Sequence, residues 1–323
     1  MVKRATGKRQ RSTLRSAGDV PRRPLGSTGI QVSAIGLGGY HLGAIKSERE
    51  AIRVIHAAID AGITFIDNAW EYHDGRSETI VGKAIVDRRR HVFLMTKLCT
   101  HGRGEREAMR QLEQSLRRLK TDHLDLWQIH ECVYDNDPER HFAPHGAADA
   151  LLRAQREGKV GLVGFTGHKR PEIHMAMLKN GFPFDTCQLP LNCFDASFRS
   201  FEQIVLPELL RRGIAPIGMK SLGGDGRQVT ARAITAAEGL RYAMSLPVAT
   251  TVSGIDSMRI LEQNLGVARG FRPMPLRQME ALRQRVRTEA ADGRFELYKT
   301  TARHEGAVGR AQHGFPPEQE LSA

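Results

Sequence analysis

Eight short runs rich in β-branched and aromatic residues, beginning at Ser33, Thr64, Val92, Leu124, Val160, Phe184, Ile214 and Val248, alternate along the chain with longer segments of helical periodicity. That alternation is the pattern of parallel strands joined by crossover helices. Eight strands close a parallel barrel, whereas a doubly wound nucleotide-binding sheet usually stops at about six. The expected fold is therefore α/β, a (β/α)8 barrel. Helices are expected over 47–61, 77–89, 105–119, 147–157, 171–179, 201–212 and 235–245, with two more, 257–268 and 275–291, packed outside after the last strand. Their ends carry suitable residues: Ser47 with Glu50 three residues on makes a capping pattern, and Gly62, Gly158, Gly181 and Gly213 stand where helices should stop. Turn chemistry in Leu25-Gly26-Ser27-Thr28-Gly29-Ile30-Gln31-Val32 predicts an N-terminal β-hairpin ahead of the barrel.

The length of 323 residues fits one such barrel, which takes about 250 residues or more. No linker-like stretch interrupts the pattern from Leu25 to Asp292, so one barrel domain is expected over 23–295, flanked by tails at 1–22 and 296–323. The closing stretch from Leu297 is polar and contains Pro316-Pro317, which predicts an extended tail. The net charge of +12 is uneven: Lys3, Arg4, Lys8, Arg9, Arg11, Arg15, Arg22 and Arg23 face Asp19 alone in the first 23 residues. A short basic segment without aromatics or apolar periodicity reads as a disordered, solvated arm rather than a nucleic-acid grip. It also lacks the apolar stretch of roughly 7 to 15 residues of a secretory signal, although Arg22-Arg23 has the look of a twin-arginine pair. No later run approaches the ~20 residues of a membrane span. These features predict a cytoplasmic protein without a membrane partner.

Cys99, Cys132, Cys187 and Cys193 form no CxxC pair and no zinc-type spacing with histidines, so reduced structural thiols and no metal are expected. Cys132, two residues past His130, is a candidate nucleophile on position alone. Gly36, Gly38 and Gly39 make a GxGG run rather than the GxGxxG fingerprint of a doubly wound fold, and are read as allowing close approach of backbone to a ligand.

In a parallel barrel the carboxyl ends of the strands converge on one face, and that face carries the chemistry. Asp67, Lys97 and His130 each end a separate apolar run, and Tyr72 follows Asp67 in the next loop. An unperturbed tyrosine, with a pKa of about 10, is a poor acid, and a lysine cation beside it favours the phenolate. A lysine aimed into an apolar barrel needs a counter-charge, which Asp67 can supply. His130 can donate to a substrate oxygen. Together these residues can protonate and polarise a carbonyl, and the missing electrons call for a hydride donor such as a nicotinamide.

The segments Arg23-Pro24-Leu25-Gly26-Ser27-Thr28-Gly29, Phe65-Ile66-Asp67-Asn68-Ala69-Trp70-Glu71-Tyr72, Asp74-Gly75-Arg76-Ser77-Glu78 and Thr96-Lys97 resemble the aldo-keto reductase superfamily over roughly residues 22 to 270. The resemblance implies an oxidoreductase that reduces a small-molecule aldehyde or ketone with hydride from NADP(H), with NAD(H) left open. It implies Tyr72 as proton donor, Lys97 and Asp67 as its tuning pair, and His130 as the carbonyl-orienting residue. The fold also serves as a cofactor-binding regulatory subunit, which is the alternative reading.

For the cofactor, the resemblance implies that Gln188 meets the nicotinamide amide, with Asn192 following in a similar context. Thr166 takes a hydroxyl role after the fifth barrel strand, where Gly167 replaces a side-chain amide and His168 stands as its substitute. Met219 occupies the place of a ring-stacking aromatic residue, followed by Lys220, Ser221, Leu222 and Gly223. The stretch from Ser253 to Asn264, with Gly254, Asp256, Arg259, Gln263 and Asn264, resembles the adenosine-phosphate loop, and its helix amino terminus suits an anion. Ile260 stands where an arginine is usual, which leaves Arg259 to face a 2′-phosphate. Glu71, His73 and Glu131 are expected to line the pocket, and Trp70 and Trp127 to serve as core or substrate wall.

Overall fold

The computed structural model describes residues 20–99 and 104–320. A two-stranded antiparallel hairpin, β1 (Arg22–Pro24) and β2 (Gln31–Ser33), precedes eight parallel strands. These are β3 (Ile35–Gly38), β4 (Phe65–Asp67), β5 (Phe93–Leu98), β6 (Leu124–Ile129), β7 (Val160–Thr166), β8 (Thr186–Pro190), β9 (Ala215–Met219) and β10 (Thr250–Gly254). They follow one another in order around a closed barrel, and the pairing of β10 with β3, from Thr251 opposite Ile35 to Gly254 opposite Gly38, shuts it. Each strand starts no more than two residues after the start of the run expected for it. The helices follow the expected sequence, among them Glu48–Asp60, whose Ser47 cap accepts from the Glu50 amide at 3.3 Å.

The two-residue period of a strand sorts its side chains into inner and outer sets. Phe65, Phe93, Met95, Leu126, Ile217 and Val252 pack inside the barrel with Leu25 and Val32 of the hairpin. The outward set, including Ile66, Leu94, Trp127 and Phe165, packs against the helices. Stepping two residues at a time from the inner apolar layer leads to Asp67, Lys97, His130, Gly254 and Met219 at the carboxyl ends. Because the hairpin stops the amino end, the inner polar residues meet only at the opposite mouth. A charged surface cleft of about 740 Å³ lies at the amino end, lined by Arg22, Asp60, Arg88, His91 and Asp125 among others, away from that mouth.

Close helix contact depends on one small residue. Gly82, in helix Arg76–Ile85, would place an added Cβ 2.2 Å from the Arg118 carbonyl oxygen of helix Glu105–Leu119. That neighbour is backbone and cannot swing aside. Gly82→Ala is expected to cost about 1–3 kcal/mol, the usual penalty of overpacking. Thermal and urea unfolding check this, and an unchanged midpoint would contradict it.

The C-terminal end differs from expectation, and the N-terminal arm lies almost wholly outside the described residues. Arg22 and Arg23, however, belong to β1. The Arg23 guanidinium donates to the Met244 and Val248 carbonyl oxygens at 2.6 and 3.1 Å, so this charge fastens the hairpin. The stretch from Leu297 is not extended. It folds as helix Leu297–Thr300, a turn at Ala302–His304 and helix Ala307–His313. Tyr298 and Lys299 are buried there. Polar composition concealed this because the segment is buried through paired charges rather than apolar surface. Lys299 Nζ, fully buried, donates to Asp195 Oδ1 at 2.6 Å, Phe198 O at 2.8 Å and Glu296 Oε2 at 3.0 Å. Among the described residues, no helix is long and apolar enough to cross a membrane.

Candidate active site

Asp67 ends β4 and Lys97 lies near the end of β5, both on the inner side. Lys97 Nζ donates to Asp67 Oδ1 at 2.5 Å and to the Asn68 carbonyl at 2.6 Å. The ammonium is 1% exposed, so this pairing is what keeps a cation in the barrel. The Lys97 carbonyl in turn accepts from the Trp70 amide at 3.0 Å, which fastens the loop after β4 and brings Tyr72 back over the lysine. Tyr72 Oη stands 3.5 Å from Lys97 Nζ, and its ring meets the His130 ring edge-on at 5.5 Å. The four residues singled out in the sequence therefore share one mouth.

The phenol of Tyr72 is pushed well above its ordinary range, chiefly by burial, with Asp67, Glu71 and Glu131 adding to the shift. This runs against the expected effect of Lys97: its ammonium, 3.5 Å from the hydroxyl, is shared with Asp67, and burial together with three nearby carboxylates dominates. Tyr72 is accordingly held as a neutral phenol.

Of two neighbours, Glu71 was read too weakly from the sequence and Tyr40 was missed. Glu71 Oε1 pairs with His130 Nδ1, so it grips a site residue rather than only lining the pocket. Tyr40, 55% exposed, meets the Tyr72 ring edge-on at 5.4 Å, and its carbonyl contacts His73 Nε2 at 2.8 Å. An aromatic residue straight after the Gly38-Gly39 pair was the signal available for it. Gly39 itself admits protein: an added Cβ would lie 2.5 Å from the Asp67 carbonyl oxygen. Trp127 is buried in the outer core, whereas Trp70 donates to Gln114 at 2.8 Å and lies under Arg118, bracing a helix. Cys132 is an unpromising nucleophile, since burial lifts its thiol well above the ordinary range. The same holds for Cys99 and Cys187, and burial pushes Cys193 up to about 12.

The residues expected at a cofactor divide into two groups. Thr166 and Gln188 are register partners on β7 and β8, both buried, and Thr166 Oγ1 and Gln188 Oε1 make no hydrogen bond within the described residues. Buried polar atoms left this way are unusual and fit an amide-bearing ligand. Met219, half-buried, ends β9, and Lys220 follows with a left-handed backbone, its ammonium 5.2 Å from the Tyr298 ring centre. Burial lowers the pKa of Lys220, against the pull of Glu131. Ser221 is buried and Leu222 packs on the core beside it. Gly254 ends β10, Ser257 caps helix Met258–Ala268, and Asp256, Arg259 and Gln263 are exposed there.

Other residues of the set are committed to protein. Asn264 donates to Ser253 Oγ at 3.0 Å. Asn192 Nδ2 donates to Glu296 and Tyr298 at 2.9 and 3.1 Å, and its Oδ1 accepts from the Phe194 and Asp195 amides and from Gln228. His168 contacts the Tyr298 carbonyl through Nδ1 at 3.3 Å and Glu131 through Nε2 at 3.6 Å. The C-terminal segment thus occupies side chains that the sequence reading assigned to a ligand.

Known proteins share this arrangement of sequence and fold. YhdN, an aldo-keto reductase of Bacillus subtilis (strain 168), is 34% identical over 197 residues, covering 57% of this chain and 56% of that protein. The chain therefore spans little more than half of that relative's length. The 6-dehydroglucose reductase of Novosphingobium aromaticivorans is 30% identical over 222 residues, 62% of this chain and 69% of that protein. An aldo-keto reductase from Klebsiella pneumoniae, solved in complex with NADPH, superposes with a TM-score of 0.68 at 25% identity, over 81% of this chain and 94% of its own. The sequence profile described as Aldo/keto reductase family matches residues 34–239, well over half of the chain. By its closed parallel barrel and this match, the chain belongs to the aldo/keto reductase family.

Proposed function

We propose that this protein reduces an aldehyde or ketone to an alcohol with NADPH, and that Tyr72 donates the proton. The observation that carries this reading is the convergence of Asp67, Lys97, Tyr72 and His130 on one mouth of the barrel. NADPH, when bound, supplies the hydride. Gln188 and Thr166 would meet its amide, Met219 to Leu222 would line its path, and the segment from Gly254 to Asn264 would take its phosphates at a helix amino terminus. Arg259 is the cation there for a 2′-phosphate, and Asp256 opposes it, so preference over NADH rests on their balance. The relative solved with NADPH supports the choice.

The chemistry left to the chain is proton delivery. His130 orients the carbonyl oxygen beside Tyr72. As negative charge grows on that oxygen its basicity rises steeply, so even a weakly acidic phenol transfers its proton. Lys97 then stabilises the phenolate, while Asp67 keeps Lys97 charged and fixed.

Titration with NADPH and with NADH, followed by an aldehyde and ketone panel with the better-bound one, tests the reading. Tight NADPH binding and turnover are expected. Binding with no turnover of any carbonyl would instead support a cofactor-bound regulatory role.

The raised phenol also sets a direction. In alcohol oxidation Tyr72 must start as phenolate, a form favoured only by strongly alkaline solution. The logarithm of kcat/KM for oxidation is expected to climb with pH, with slope about 1, until the pH at which reduction begins to lose kcat/KM. An oxidation rate that falls with rising pH below that point would contradict it.

A further inference from the structure

We propose that Glu71 and His130 act as one unit, in which Glu71 is a positioning residue and a single proton decides whether His130 donates to a substrate carbonyl or withdraws that donor. The proposal rests on the carbonyl-reduction reading and adds to it a residue outside the tetrad.

The geometry follows from two strand ends. His130 comes directly after β6, buried, with its amide donating to the Leu98 carbonyl at 2.9 Å. Glu71 comes from the loop after β4, and its Oε1 meets His130 Nδ1. The two side chains are 13% and 8% exposed, so water competes little for that contact. The opposite ring nitrogen, Nε2, is the one left to face a substrate.

Counting protons gives the consequence. A carboxylate can only accept, so its bond to Nδ1 requires a proton between them. If the pair holds only that proton, Nε2 carries a lone pair and cannot donate to a carbonyl oxygen. With a second proton, Nε2–H donates and the pair is neutral overall. An unpinned neutral imidazole escapes this constraint because it can move its proton to Nε2. Glu71 therefore ties carbonyl orientation to the protonation of the pair.

The surrounding charges come from every packed element. Asp67 on β4 and Glu131 after β6 are the facing carboxylates, the first held by Lys97 and the second by the Gly306 amide at 2.8 Å and His168. Lys97 and Lys220 are cations of the same mouth, acting on Asp67 and Glu131. Tyr72 meets the His130 ring, Tyr40 packs on Tyr72, and Cys99 interacts with Glu71. Since burial and the nearby carboxylates raise the Tyr72 phenol, a limb from its own ionisation lies above the ordinary tyrosine range.

The test compares the full-length protein with Glu71→Gln, which keeps size and removes the carboxylate. Reduction by the native protein is expected to lose kcat/KM at alkaline pH. Glu71→Gln is expected to lose that limb, or to shift it by one pH unit or more, with NADPH affinity and thermal midpoint unchanged. Glu71→Ala, which removes the grip altogether, is expected to lower kcat/KM by roughly 10²-fold. An alkaline limb of the same midpoint in Glu71→Gln would overturn the proposal, as would its absence from the native protein.

A second readout needs no turnover. In ¹⁵N-histidine-labelled free protein, with His130 assigned by its loss in His130→Gln, native Nδ1 is expected to stay protonated at alkaline pH while Nε2 loses its proton. In Glu71→Gln the Nε2–H form is expected instead, and the same tautomer in both proteins would overturn the proposal. If no carbonyl is reduced, the functional reading fails and this spectrum alone decides the pairing.

Discussion

Tyr72→Phe is expected to reduce kcat/KM for carbonyl reduction by at least 10³-fold while leaving NADPH affinity within about twofold, because it removes one oxygen and little else. The ring of Tyr72 keeps its packing on Tyr40 and His130, at 5.4 and 5.5 Å between centres, so the mouth should hold its shape. What disappears is the hydroxyl placed 3.5 Å from the Lys97 ammonium. General acid catalysis is worth roughly 10²–10⁴-fold, and losing the carbonyl's hydrogen bond adds to this. Lys97 cannot take over, since Asp67 and the Asn68 carbonyl hold its ammonium behind the place of the lost hydroxyl. Steady-state kinetics with cofactor fluorescence titration measure both quantities. Activity within tenfold of the native protein would remove Tyr72 from the acid role, and loss of cofactor binding would make the variant uninformative about chemistry but would point to collapse of the mouth.

Lys299→Met carries the largest expected effect on stability. The substitution keeps an apolar stem of similar length but leaves Asp195 and Glu296 buried without their cation. Removing one partner of a buried ion pair costs about 3–5 kcal/mol, mostly from the charge left behind. Burial already raises the carboxyl of Glu296, with Lys299 as the first influence opposing that rise. Without Lys299 the folded Glu296 carboxyl rises further above its unfolded value. A carboxyl raised in the folded state contributes stability at low pH and loses it as pH increases through its unfolded range. The deficit should therefore be largest at neutral pH and shrink toward pH 5. Thermal unfolding across pH checks this, and limited proteolysis should show early cleavage within 297–320. A midpoint equal to the native one at pH 7 would mean that the network contributes nothing to docking of the C-terminal segment.

The outcome at the two ends of the barrel shows what kind of information a sequence carries. Asp67, Lys97 and His130 could be placed because a strand has a two-residue period and a parallel barrel gathers its strand ends. Knowing that Phe65, Phe93 and Leu126 pack inward suffices to aim the polar residues at the same mouth. Tyr72 was legible because a short loop after Asp67 cannot carry it far. The C-terminal segment had no such periodicity. Its burial depends on Lys299 finding Asp195, and on Asn192 finding Glu296 and Tyr298, contacts between residues about a hundred positions apart. Polar composition therefore suggested solvent where the fold provides partners.

Local patterning by itself determined the eight strands, most helices and the shared mouth, because each follows from repeats within a few residues. Only the tertiary structure decided how the charges there act on one another. Lys97 is shared between Asp67 and Tyr72, burial and three carboxylates hold the Tyr72 phenol high, and Glu71 closes on His130. Coulomb interactions and burial depend on distances of a few ångströms between chain segments, and no spacing along the sequence encodes those distances.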